Sequence, residues 1–141
     1  MRDTLGQIVE WVPVCPEVES GLSVPREAMH LVRDHDATRL VTIRSGIDHT
    51  ERLTQWTRGK LAEFSRLDLC GFVFKARSPS CGVRDAEIVT PSGSSAGKGT
   101  GLFAAAIKKY FPALPIEDES GFRDAAFREN FIKRIFEYRR Q

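Results

Sequence analysis

The sequence predicts an α/β fold: a layered, mostly parallel Rossmann-like sheet flanked by helices, with a hairpin. Three observations lead there. Short β-prone runs alternate with helix-period segments along 141 residues, the order that builds a sheet covered by helices. Two runs, Trp11-Val12-Pro13-Val14 and Cys70-Gly71-Phe72-Val73-Phe74-Lys75, lead into the turns Cys15-Pro16-Glu17 and Ser78-Pro79-Ser80-Cys81-Gly82. In such sheets ligands collect near strand carboxyl ends, where both turns fall. Near the C-terminus, Phe127, Phe131 and Ile135 recur at spacing four, with Ile132 and Phe136 beside them, the stripe of a packed helix.

Taken in order, residues 4–10 read as a short helix with Leu5, Ile8 and Val9 on one face. A strand is expected at 11–14, then a loop from Cys15 to Pro25. Residues 28–32 and 39–43 form two strands around the polar turn Asp34-His35-Asp36, a hairpin. Asp48 caps a helix over 49–66 that turns Leu53, Trp56, Leu61 and Phe64 inward. Strands follow at 71–75 and 86–90, and the Gly/Ser-rich stretch Pro91 to Gly101 reads as a mobile loop. Leu102 to Tyr110 is a helix stopped by Phe111-Pro112. Residues 114–117 make a last strand and 121–139 a last helix. No internal repeat is present.

The length suits one domain with a real core. Hydrophobic content of 41% and charged content of 28% are ordinary for a soluble globular chain. A net charge of +2 is too small to attract nucleic acid electrostatically, and the basic cluster of Lys133, Arg134, Arg139 and Arg140 is modest. No run approaches the roughly 20 apolar residues of a membrane span, so no membrane partner is expected. The N-terminus lacks the apolar centre of a signal peptide. Three cysteines without a framework favour a reducing, cytoplasmic setting.

Cys81 sits between Ser80 and Gly82. A thiolate there would be a soft ligand for zinc or an iron–sulfur cluster, and glycine lets backbone approach a bulky group. A turn cysteine without chemistry is the competing reading. Cys15 has the same two readings, and Glu17 is either a general acid/base beside it or a solvated loop residue. Ser78 could donate a hydrogen bond or shuttle a proton, or simply start a turn. Cys70 reads as a buried small hydrophobe. His30, His35 and His49 have no ligand spacing. The run Gly93 to Gly101 fails the phosphate-loop pattern, because Gly99 follows Lys98.

Together these turns resemble one family. The resemblance is carried by Val14-Cys15-Pro16-Glu17, Gly21-Leu22-Ser23-Val24-Pro25-Arg26, Gly71-Phe72-Val73-Phe74-Lys75 and Ser78-Pro79-Ser80-Cys81-Gly82. It continues through Gly99-Thr100-Gly101-Leu102-Phe103-Ala104, Phe111-Pro112-Ala113-Leu114-Pro115 and Arg128-Glu129-Asn130-Phe131-Ile132. The chain is similar over essentially its whole length to the bacterial domain family that includes the 2-thiouracil desulfidases. The resemblance implies a 4Fe–4S cluster held by three cysteines, with one iron open. It also implies conversion of a thiolated pyrimidine or nucleoside to its carbonyl form with release of sulfide. Cys15 and Cys81 match two cluster ligands, and Glu17 and Ser78 match catalytic positions. A thiolated RNA stays open as a substrate, and a C-terminal helical domain is common in longer relatives.

The family's first ligand lies in a Ser-x-Cys-Leu-Leu-Gly segment, followed by an Arg-Tyr-Asp-Gly-type loop, and neither occurs here. The expectation is therefore a single desulfidase-like domain, 1–141, truncated at its front, with one ligand and the first strand missing and the activity lowered or lost. Two readings from other classes stand beside it: a non-catalytic nucleoside-binding or interaction module, and a zinc site built from Cys15, Cys70 and Cys81.

Overall fold

The computed structural model describes residues 11–22 and 27–140. The expected helix at 4–10 lies outside them. A short helix α1 (Pro16–Glu19) is followed by strands β1 (Met29–Asp34) and β2 (Ala37–Thr42), helix α2 (Thr50–Phe64) and strand β3 (Phe72–Phe74). Strands β4 (Ala86–Val89) and β5 (Ser95–Gly99), helix α3 (Leu102–Tyr110) and strand β6 (Ile116–Asp118) come next. A 3₁₀ turn (Glu119–Arg123) then leads into helix α4 (Ala125–Arg139).

The layered α/β class is present, but the sheet is mixed rather than mostly parallel. Strands run β2-β1-β4-β5, and β3 pairs with β6 in a separate two-stranded sheet. Among the described residues only the β1–β4 and β3–β6 pairs are parallel, whereas β1–β2 and β4–β5 are antiparallel. The expected hairpin is β1–β2, closed by a two-residue turn in which His35 adopts φ 55°, a conformation a polar residue tolerates better than a β-branched one.

Three expectations are corrected. Residues 11–14 are not a strand; they carry no regular structure. The segment after Cys15 begins as a helical turn rather than a loop, because Pro16 occupies its first position and the acidic Glu17 and Glu19 suit its positive end. The stretch from Pro91 is not a mobile loop: Ser95–Gly99 pairs with β4, and a Cβ on Gly99 would lie 2.7 Å from Ile88 Cδ1. Glycine therefore permits this close pairing.

Helix α2 begins where Asp48 Oδ1 accepts the Thr50 N–H at 2.8 Å, and Thr50 Oγ1 in turn accepts the Leu40 N–H at 2.8 Å. Helix α4 starts at Ala125 rather than 121, its end capped by Asp124 Oδ1 accepting the Ala126 N–H at 3.0 Å. Its stripe buries Phe131 and Ile135 with Phe122, while Phe136 faces solvent.

The main core gathers Phe64, Phe74, Cys81, Val83, Phe103 and Ile107. A second cluster, Leu31, Leu40, Leu53 and Ile88, takes in Trp56 and Leu102 at its edge. Trp56 lies 5.2 Å from Phe103 between ring centroids, which sets the second turn of α2 beside the first turn of α3. Among the described residues no helix is long and apolar enough to cross a membrane.

Candidate functional site

The turn bearing Cys81 hangs on the start of α3. Ser80 O accepts the Phe103 and Ala104 N–H groups at 2.8 and 3.1 Å, and Pro79 O accepts that of Leu102 at 3.1 Å. The turn thus satisfies amides that a helix end leaves without intrahelical partners. Gly101 N donates to Gly82 O at 2.7 Å, and Thr100 Oγ1 and Lys108 Nζ both donate to Val83 O, at 2.9 and 3.0 Å. No side chain fits at Gly101, where a Cβ would lie 2.5 Å from the Ser80 carbonyl carbon. Upstream, Arg77 takes φ 65° while its N–H donates to Asp85 Oδ1 at 2.8 Å.

Within the turn, Ser78 Oγ accepts the Ser80 and Cys81 N–H groups, each at 3.2 Å, and Gly82 N donates to Ser78 O at 2.7 Å. Ser78 and Ser80 share a hydroxyl bond of 3.0 Å, and Ser80 Oγ donates to Cys81 Sγ at 3.6 Å. Ser80 is buried to 1% exposure. The sulfur is therefore met by a chain of two hydroxyls. Sequence reasoning weighed Ser78 but missed Ser80, Thr100 and Gly101; the Ser-x-Ser spacing around the cysteine was the signal available for Ser80.

Cys15 stands at the head of α1 and is exposed. Its N–H donates to Glu19 Oε2 at 2.8 Å, and its carbonyl accepts the Glu19 N–H at 2.9 Å. Glu19 Oε1 also meets Lys60 Nζ at 3.2 Å, which ties α1 to α2. Val14, next to Cys15, packs on the core cluster that contains Cys81.

Electrostatics links the two turns. Burial pushes the Cys81 thiol up to about 11, the Glu17 and Cys15 charges add to that rise, and the Ser80 and Ser78 hydroxyls oppose it. A charge shifts a neighbour only when it is near, so Cys15, Glu17 and Cys81 share one neighbourhood. Cys70 does not join them, since it packs against the separate cluster of Phe122, Phe131 and Ile135. Among the described residues no group of three or more His, Cys, Asp or Glu side chains could hold a metal ion. A zinc site of Cys15, Cys70 and Cys81 therefore has no support. His30, His35 and His49 form no such group either.

Comparison with known proteins adds two findings. The sequence profile of the 2-thiouracil desulfurases matches residues 1–119. The fold matches the solved structure of the [4Fe-4S]-dependent thiouracil desulfidase TudS, with TM-score 0.58 and 26% sequence identity, over 91% of this chain and 80% of that one. No curated protein matches by sequence.

Proposed function

The chain belongs to the 2-thiouracil desulfurase family, and on that premise we propose that it hydrolyses the thiocarbonyl of a thiolated pyrimidine to a carbonyl, releasing sulfide. The similar TudS structure is of a [4Fe-4S]-dependent enzyme. This chain carries two of the three thiols that the family resemblance implies as ligands, one buried and one exposed, and among the described residues no group of three or more His, Cys, Asp or Glu side chains is placed to hold a metal ion. Cys15 and Cys81 would supply two ligands of an iron–sulfur cluster. When bound, it would offer a Lewis-acidic iron matched to a thiocarbonyl sulfur.

The protein's own residues have distinct tasks in this reading. Cys81 is held by the core with the Ser80 hydroxyl on its sulfur, and as a ligand it would be deprotonated. Glu17 takes the proton from the water that attacks the thiocarbonyl carbon. Ser78 fixes the turn, and its hydroxyl orients the substrate or that water. One oxygen enters and one sulfur leaves as sulfide, so no external oxidant or reductant is required. A single desulfidase-like domain in a reducing, cytoplasmic setting suits this chemistry.

The family match over residues 1–119, together with the fold match to a [4Fe-4S]-dependent thiouracil desulfidase, carries the reading. Anaerobic reconstitution with iron and sulfide should yield a brown protein that releases sulfide from 2-thiouracil. Cys15→Ala and Cys81→Ala should abolish both colour and release, and Cys70→Ala should retain both. A colourless wild-type protein, or one whose colour survives Cys81→Ala, would sink the proposal.

A further inference from the structure

A groove of ≈ 580 Å³ lies between residues 11–14 and residues 69–73, with Phe64 of α2 and Ile135 of α4 also lining it. Its lining is apolar except for Asp68 and Arg139, and two of its side chains, Val12 and Leu67, are exposed. Five successive residues, 69–73, take part. A sheet face would show only every second one, so the groove runs along the strand's edge.

Both walls carry backbone without partners. Among the described residues, no backbone N–H or carbonyl of residues 11–14 or 69–71 is hydrogen-bonded to another. In β3 the Phe72 N–H donates to Pro115 O at 2.9 Å, on the side of β6. Backbone groups alternate sides along a strand, so the N–H and carbonyl of Val73 face the other edge, where no described strand pairs. Trp11 adds an independent sign, since its Nε1 is buried with no hydrogen-bond partner among the described residues. Such groups cost free energy wherever apolar surface shields them from water unpaired.

We propose that this groove docks an extended strand of another polypeptide, paired along the free edge of β3. The added strand continues the β3–β6 sheet by one, the mode of recognition in which main-chain bonds give the affinity. An apolar small molecule would cover these donors and acceptors without bonding to them. A backbone supplies both, and an open edge is a ready template for it. About five residues, at roughly 3.3 Å each, match the edge formed by residues 69–73. Their side chains toward Phe64 and Ile135 must be apolar, because those residues line the groove. This docking is independent of the reaction proposed above.

Calorimetric titration of the full chain with acetyl-Val-Thr-Val-Thr-Val-amide should show one-to-one binding. The same peptide N-methylated throughout keeps the side chains but loses every backbone donor, and should bind about tenfold more weakly or less. At about 90% saturation with the parent peptide the Val73 amide should exchange about tenfold more slowly, because it opens only when the peptide leaves. Val73→Pro deletes the groove-side donor while sparing the Phe72 bond to β6, a replacement that an edge position tolerates. It should weaken binding about fivefold to tenfold. Val12→Asp, at an exposed position, sets a charge against the apolar strand and keeps the test in force if the proline variant does not fold. Equal affinity for the methylated peptide would make the groove a general apolar pocket and overturn the proposal. So would no binding, binding without protection of Val73, or undiminished affinity in the folded variants. Self-association of the chain that Val12→Asp abolishes would give the groove to a second copy and overturn it as well.

Discussion

The two cysteine turns present the same side chain by opposite means. Around Cys15 the bonds close locally: its N–H to Glu19, the Glu19 N–H to its carbonyl, Ser20 to Pro16, and Leu22 to Glu17. Around Cys81 they come from far along the chain, from Gly101, Phe103, Ala104 and Lys108. One thiol is exposed and the other is at 9% exposure. A turn closed on itself can open without the core, whereas a turn that caps a buried helix opens only with it. The molecule thus pairs one thiol on a fixed mount with another on an adjustable one.

The sharpest way to break that contrast is to crowd each turn with one methyl. At Gly101 a new Cβ meets backbone of Ser80 and Cys81 at 2.5–2.7 Å, and neither can yield without moving α3. Gly101→Ala should cost about 3 kcal/mol or more by urea unfolding. At Gly21, φ +104°, the nearest atom is Arg52 Nη1 at 2.8 Å, the tip of a flexible chain. Gly21→Ala should cost only about 1 kcal/mol, mainly from backbone strain. A Gly21→Ala cost equal to or above that of Gly101→Ala would refute the division into fixed and adjustable mounts.

Protons give a second contrast. Folding raises the Cys81 thiol from 9.0 to about 11, chiefly by burial. Below pH 9 the thiol is protonated in both states and the full stability is present. Between pH 9 and about 11 the unfolded chain releases its proton first, so stability falls as pH rises. Two units correspond to a loss on the order of 2–3 kcal/mol across that window. The slope should become clearly shallower in Cys81→Ala, leaving the smaller part that Lys60 adds through its own raised pKa, and should persist in Cys15→Ala, read from urea midpoints at stepped pH under reducing conditions. A slope undiminished in Cys81→Ala would place the buried titration elsewhere.

Legibility in the sequence followed how local each feature is. The β1–β2 hairpin was readable because two β-prone runs flank Asp34-His35-Asp36, and α4 because Phe131 and Ile135 repeat at helical spacing. Strand β5 was not, since Ser95-Ala96-Gly97-Lys98-Gly99 has little β preference of its own and owes its pairing to β4. The sheet's mixed direction depends on long-range pairing that no short window records. At the site, Cys15, Glu17, Ser78 and Cys81 were named from the two turns and their family resemblance. The support from Ser80, Thr100 and Gly101 was missed because a buried hydroxyl and a crowded glycine look ordinary until α3 is brought against them.

The smallest contrast concerns the serines beside each thiol. Ser78 Oγ accepts two amides, from Ser80 and Cys81 at 3.2 Å each, in a partly buried turn. Ser78→Ala leaves both without that acceptor and should cost about 1–2 kcal/mol. Ser20 Oγ merely donates to Glu17 O at 3.1 Å, a carbonyl that also accepts the Leu22 N–H. Ser20→Ala should therefore change stability by about 0.5 kcal/mol or less. A second measurement separates scaffold from chemistry. If Ser78 orients the substrate or the attacking water, Ser78→Ala should slow sulfide release in reconstituted protein even at temperatures where its fold is intact by circular dichroism. Release at the wild-type rate under those conditions would reduce Ser78 to a brace for the turn.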